Sequence, residues 1–190
     1  MNAIILCGGL STRLGDITKI IPKVLLDIQG KTVLEWQLEK LKAAGVREVV
    51  LAAGHLADVL YKQVGLFACG LTLQYAIEED KLGTGGAIKH AWEYLDKQDE
   101  AVIVLNGDVL TGASLVDMAH FVRPLSDGSI LGVEVPDAAA YGTLEFDATY
   151  HLKAFKEKEG KHERGVINGG IYILNGTARQ HFPDKKSFSI

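Results

Sequence analysis

Along the first 120 or so residues, short apolar runs alternate with stretches whose apolar residues recur at helical spacing. The continuous run at residues 3–7, Ala-Ile-Ile-Leu-Cys, has the length and content of a buried strand. Residues 32–44 predict a helix: Leu34, Leu38 and Leu41 form one stripe, Thr32 and Glu35 have capping-box spacing, and Gly45 supplies a stop. A strand is expected at 48–53, then a helix at 56–64 with Leu56, Leu60 and Val64 on one face. An alternating strand at 71–77, a helix at 84–95 opened by Thr84 among glycines, and an apolar strand at 101–105 follow. Strands separated by helices of this length build βαβ units and a mostly parallel sheet. Beyond Phe121 the pattern changes to strand-like pieces at 130–135, 143–146, 152–155 and 170–174, which predict an antiparallel or mixed second half of the same sheet. With no repeat, low-complexity tract or linker in view, the expectation is one α/β domain over residues 1–190 with one mixed, mostly parallel central sheet.

Composition narrows the function classes. Hydrophobic residues make up 47% and charged residues 23%, which suits a globular chain able to bury one sizeable core. A net charge of −4 with acids and bases interspersed speaks against a nucleic-acid or anionic-membrane surface, while leaving room for a small anionic substrate held by local cations. The two cysteines, Cys7 and Cys69, lie far apart without Cys-x-x-Cys spacing, so they read as buried, reduced thiols. The N-terminus lacks a basic region, and no stretch approaches the ~20 apolar residues of a membrane span. A cytoplasmic chain is expected, and nothing in it speaks against a homo-oligomer.

The first strand ends in Leu6-Cys7-Gly8-Gly9-Leu10-Ser11-Thr12-Arg13-Leu14-Gly15, with Pro22-Lys23 shortly after. Glycines let backbone N–H groups reach phosphate oxygens, and Arg13 and Lys23 offset their charge, so this is a candidate polyphosphate loop. The apolar strand at 101–105 runs into Asn106-Gly107-Asp108, which puts a hard carboxylate where α/β sheets bind ligands. Asp108 by itself reads equally as a turn and helix cap. The stretch Glu78-Glu79-Asp80-Lys81-Leu82-Gly83-Thr84-Gly85-Gly86 is either a solvated charged turn or a second loop whose amides and Thr84 hydroxyl line a base and ribose. Other patterns fail. Gly30-Lys31-Thr32 has Leu25 where a phosphate loop needs its first glycine, the glycines at 8, 9 and 15 miss Gly-x-Gly-x-x-Gly, and six histidines are scattered without ligand spacing.

Taken in order, Gly-Gly-x-x-Thr-Arg-Leu, Pro-Lys, Leu-Gly-Thr-Gly-Gly-Ala-Ile, Asn-Gly-Asp, Tyr141-Gly142-Thr143, Glu157-Lys158 and Asn168-Gly169-Gly170 resemble the sugar-1-phosphate nucleotidylyltransferases from Gly8 to Tyr172. The wording is most similar to small guanylyltransferases acting on heptose- and mannose-type sugar 1-phosphates. That resemblance implies a Rossmann-like nucleotidyltransferase fold of the glycosyltransferase-A type. The implied reaction joins an NTP, GTP favoured, to a sugar 1-phosphate, releasing pyrophosphate. Leu6, Gly8, Gly9, Ser11, Thr12, Arg13, Glu79, Gly83 and Thr84 would bind the nucleotide. Asn106, Gly107, Gly142, Glu157, Lys158, Asn168 and Gly169 would bind the sugar phosphate. Arg13, Lys23 and Asp108 would be catalytic, with Asp108 holding Mg²⁺.

Two departures stand out: Ser11 replaces a usual glycine, and Glu159 a frequent proline. Relatives carry a second metal-binding aspartate on a late strand, so a chain ending Ser187-Phe188-Ser189-Ile190 is expected to be truncated. The alternatives are a uridylyl- or thymidylyltransferase of the same family, or a non-catalytic relative that binds a nucleotide sugar. An oxidoreductase cofactor domain is disfavoured by the glycine spacing.

Overall fold

In the computed structural model, which describes residues 1–9, 20–96, 100–122, 126–156, 158 and 160–190, the first apolar run forms β1 (Asn2–Leu6). Its Ala3, Ile4 and Ile5 are wholly enclosed, as an uninterrupted apolar strand requires. A 3-10 turn at Lys23–Leu25 follows Pro22. Then β2 (Asp27–Ile28) and β3 (Lys31–Thr32) pair as a tight hairpin. The linking residues Gln29 and Gly30 have φ of 56° and 83°, the left-handed pair that matches the twist of a two-residue hairpin.

β3 hands over to α1 (Val33–Ala43) through the expected capping box. Thr32 Oγ1 accepts the Glu35 N–H at 3.1 Å, and the Glu35 carboxylate accepts the Thr32 N–H at 2.7 Å. The Gly-Lys-Thr string is thus a hairpin turn followed by a helix cap.

β4 (Glu48–Ala53), α2 (Ala57–Val64), β5 (Phe67–Ala68) and β6 (Leu71–Ile77) come next. Cys69 and Gly70 make a second two-residue hairpin turn with φ of 53° and 81°, which leaves Cys69 half-buried rather than in the core. α3 (Gly83–Trp92), β7 (Val102–Asn106) and α4 (Leu115–His120) follow. α4 is a helix that the apolar pattern did not announce, since Leu115 is its one buried residue. The remaining elements are β8 (Gly128–Val135), β9 (Thr143–Phe146), β10 (Leu152–Lys156), β11 (Gly165–Leu174) and a 3-10 turn at Gly176–His181.

These elements cluster into two compact units, one of Met1–Ser129 with Tyr172–Ile190 and one of Ile130–Ile171. In the first, the strands run β7-β1-β4-β6-β5; β7, β1, β4 and β6 are mutually parallel, and β5 turns back along β6. This is the α/β architecture with a mixed, mostly parallel sheet. Leu34, Leu38 and Leu41 of α1 and Ile88, Ala91 and Trp92 of α3 are buried with it. In the second unit β9 pairs antiparallel with both β10 and β11, the change of pattern expected beyond Phe121. Gly142 and Gly169 have reasons of their own there. A Cβ on Gly142 would lie 2.8 Å from the Lys156 carbonyl oxygen, and one on Gly169 2.9 Å from that of Leu131.

Candidate active site

The sheet of the first unit fixes where a ligand can sit. From β1 the chain moves outward to β4 and β6, then crosses to the other side of β1 to form β7. The strand order therefore reverses between β1 and β7, and at such a switch point the loops leave in opposite directions and open a crevice. Register places Leu6 opposite both Asn106 and Ala52, and Ala53 opposite Ile77, so the carboxyl ends lie along one edge.

At that edge is a cavity of about 430 Å³ lined by residues of three connections. Leu6, Cys7, Gly8 and Gly9 come from the end of β1, and Asn106, Gly107 and Asp108 from the end of β7. Glu78, Lys81, Gly83, Thr84 and Ala87 come from the passage into α3, and Lys23 and Val24 complete the wall.

Gly107 is obligatory by close approach. Its N–H donates to the Leu6 carbonyl at 3.0 Å, and a Cβ there would meet Leu6 O at 2.5 Å and Val24 Cγ1 at 2.6 Å. The Asn106–Asp108 turn is thereby pinned to the end of β1. It is also held from behind by Gln37, a residue of α1 only 2% exposed. Both N–H groups of its amide are used, on Asn106 O at 2.9 Å and Val109 O at 2.8 Å, the carbonyls that bracket Gly107 and Asp108. Asp108 projects into the open cavity, where its Oδ2 accepts from Lys23 Nζ at 2.5 Å. Pro22 and the 3-10 turn present that lysine.

On the cavity wall Glu78 continues the face of β6 that carries buried Ala76. Its N–H donates to Ala53 O at 2.8 Å, and Oε2 accepts the Leu82 N–H at 3.4 Å. Oε1 would be 3.1 Å from a Cβ on Gly8, so the glycine makes room for the carboxylate. Burial pushes the Glu78 carboxyl above its ordinary range, and the Leu82 N–H and His90 draw it part of the way back. Burial, with the Glu78 charge adding to it, pushes the neighbouring Cys7 thiol up to about 12.

Of the residues singled out in the sequence, Leu6, Gly8, Gly9, Lys23, Gly83, Thr84, Asn106, Gly107 and Asp108 share this cavity. Ser11, Thr12, Arg13 and Glu157 lie outside the described residues. Gly142, Lys158, Asn168 and Gly169 belong to the second unit. Glu79 is exposed and does not line the cavity, whereas Glu78 does. Strand parity is the signal that separates them: neighbouring residues of an extended segment face opposite ways, and Glu78 sits on the side away from exposed Ile77 and Glu79. Gln37 carried no such signal, because an amide in an apolar helix stripe shows its purpose only when its partners are known. The amides of Gly85 and Gly86 are not open to a ligand; both donate to the Phe188 carbonyl.

Residues 2–185 match the family described as nucleotidyl transferase, and the chain belongs to it. It is 36% identical to D-glycero-alpha-D-manno-heptose 1-phosphate guanylyltransferase of Campylobacter jejuni, over 100% of this chain and 82% of that protein. The enzyme of the same name from Aneurinibacillus thermoaerophilus is also 36% identical, over 92% of this chain and 75% of that one. Among solved structures, HddC from Yersinia pseudotuberculosis superposes with a TM-score of 0.84 at 35% identity, covering 99% of this chain and 82% of its own. That protein has also been crystallised in complex with GMP-PN.

Proposed function

We propose that this chain is a sugar-1-phosphate guanylyltransferase, joining GTP to a sugar 1-phosphate of the heptose or mannose type to give a GDP-sugar and pyrophosphate. The names of the relatives and the GMP-PN complex of HddC support the class. The observation that carries the choice of base is the Glu78 carboxylate on the cavity wall. An ionised carboxylate only accepts hydrogen bonds. Guanine is the one common base that offers two adjacent donors, N1–H and the 2-amino group, along its pairing edge. Uracil and thymine put a carbonyl on each side of a single N–H, and adenine and cytosine pair one donor with a ring acceptor; each would set a lone pair against Glu78.

In the reaction an oxygen of the sugar phosphate attacks the α-phosphorus of GTP in line. The P–O bond to pyrophosphate breaks, and its electron pair leaves with pyrophosphate. The attacking oxygen is already anionic, so no general base is called for, and catalysis comes from positioning and charge. We assign the β- and γ-phosphates to the Gly8–Gly9 backbone with Ser11, Thr12 and Arg13. Lys23 takes the charge that develops on the α-phosphate, exchanging Asp108 for the incoming phosphate.

Among the described residues, no cluster of three or more metal-binding side chains accompanies Asp108. That donor set fits Mg²⁺, which takes one or two protein carboxylates and draws its other oxygens from phosphates and water. When bound it neutralises phosphate charge. The sugar-phosphate roles of Gly142, Glu157, Lys158, Asn168 and Gly169 rest on the family resemblance; Lys158→Ala tests them by raising KM for the sugar 1-phosphate.

Pyrophosphate release with heptose 1-phosphate or mannose 1-phosphate, run in parallel with GTP, UTP, dTTP, CTP and ATP, tests the proposal. GTP is expected to be at least tenfold more efficient than the others. A tenfold preference for UTP or dTTP would overturn the guanylyl reading, and no pyrophosphate from any NTP would overturn the enzymatic one.

A further inference from the structure

The turn that opens α3 is held by a distant segment. Leu82 stands at the N-cap position, and no side chain caps the helix there among the described residues. The main chain of Phe188 does so instead. Its carbonyl accepts from the Gly85 N–H at 3.0 Å and the Gly86 N–H at 3.2 Å, and its own N–H donates to Leu82 O at 2.9 Å. Ile190 N–H donates to Thr84 Oγ1 at 3.1 Å, and Lys186 Nζ pairs with Asp80 at 2.8 Å.

The glycines of this turn fit the same segment. A Cβ on Gly83 would lie 2.5 Å from Phe188 O, one on Gly86 2.6 Å from Lys186 O, and one on Gly85 would enter the Phe188 ring. That ring rests on Phe182, 6.0 Å between centroids, which in turn meets buried Trp92 edge-on at 5.9 Å.

We propose that residues 186–190 are a strap that positions the nucleotide side of the cavity, with Phe188 as its positioning residue. Gly83 and Thr84 line the cavity, and none of residues 186–190 does, so the strap acts from behind the wall. It does so in two ways. By taking the Gly85 and Gly86 amides, the Phe188 carbonyl removes donors that a helix start would otherwise offer to anions, and phosphate binding is left to the Gly8–Gly9 side. By donating to Thr84 Oγ1, the Ile190 N–H fills an acceptor position and leaves the hydroxyl proton to be given to a ligand. The ligand atom it suits is an acceptor, such as a ribose oxygen. The Gly-Thr-Gly-Gly wording is therefore a record of the strap's close approach at three positions. This inference rests on the nucleotide reading of the cavity.

The test compares the parent chain with Phe188→Ala, with Gly85→Ala and with the double variant. Amide hydrogen exchange across residues 82–88, without ligand, is expected to accelerate at least tenfold in Phe188→Ala. Unchanged exchange would overturn the strap itself. The KM for GTP is expected to rise about tenfold while kcat and KM for the sugar 1-phosphate stay within threefold, the split produced by lost nucleotide binding. A fall in kcat at constant KM, as a merely less stable enzyme would give, would overturn the positioning role.

Gly85→Ala is expected to bind GTP poorly in the parent and better once Phe188→Ala has vacated the ring's place. A double variant no better than Gly85→Ala would again overturn the contact. If the parent binds no nucleotide while its exchange responds as described, the nucleotide reading falls and the strap's link to nucleotide falls with it.

Discussion

Lys23 and Asp108 neutralise one another across an open cavity, with side chains 32% and 44% exposed. An ion pair so wet contributes little to stability, so its cost in substitution should be read in the chemistry. Lys23→Ala is expected to lower kcat/KM about 10²–10³-fold, the scale of one lost transition-state charge contact, with the melting temperature unchanged; a variant within threefold of the parent would exclude Lys23 from the mechanism.

Glu78 gives the opposite kind of signature. Its carboxyl is raised in the folded chain above its ordinary value, so between that value and the raised one the folded state binds more protons than the unfolded. Its contribution to stability is accordingly greatest on the acid side and is lost as pH rises through the window. GTP affinity should move the other way and strengthen over the same window, because only the carboxylate accepts both guanine donors. Glu78→Gln removes both dependences. Since an amide can pair with the N–H and carbonyl of uracil, it should also narrow the preference for GTP over UTP about tenfold or more, a change that competition kinetics between the two nucleotides will reveal.

At the level of elements, α1 holds the Asp108 turn through Gln37. Replacing it by leucine keeps the volume but strands the Val109 carbonyl, at about 1–3 kcal/mol if it stays buried, while the Asn106 carbonyl keeps the Val109 N–H at 3.1 Å. Gln37→Leu is therefore expected to lower the denaturation midpoint. It should also raise the Mg²⁺ concentration needed for half-maximal nucleotide binding, followed by calorimetry, because the turn bearing Asp108 is no longer held.

Such dependences explain what the sequence could and could not reveal. The strands at 48–53 and 71–77 have the bounds their apolar patterns implied, and the capping box of α1 formed as written, because each is decided by neighbours along the chain. β11 begins at Gly165, five residues before the expected start, because Gly169 and Gly170 read as loop while the close Leu131 carbonyl demands a glycine within the strand. α3 starts at Gly83, ahead of Thr84, because its cap arrives from a segment about a hundred residues later. The cavity's glycines and Asp108 were visible as a motif; Glu78 against Glu79, Gln37 and Phe188 needed the third dimension.

For the molecule as a whole, the cavity lies within a single unit, so a ligand held there should stabilise that unit directly. GTP with Mg²⁺ at 100 times its Kd adds about 2.7 kcal/mol. For a chain of this size that is a rise in melting temperature of about 5–10 °C, which UTP at the same concentration should not match. Among the described residues no helix is long and apolar enough to cross a membrane.

The two thiols divide this molecule in another way. Cys7 stands on the cavity wall yet is buried, with its pKa pushed up to about 12, and so holds almost no reactive thiolate near neutral pH. Cys69 sits at a hairpin tip and is half-buried; burial, with Glu39 and Glu35 beside it, pushes its thiol up as well, but its partial exposure leaves the sulfur within reach of a reagent. A maleimide dye should therefore find one address, Cys69, and leave the cavity untouched: mass spectrometry of the labelled chain should show a single adduct and the guanylyltransferase assay no loss. These 190 residues are thus ready for single-site fluorescence, with no cysteine to remove and none to add.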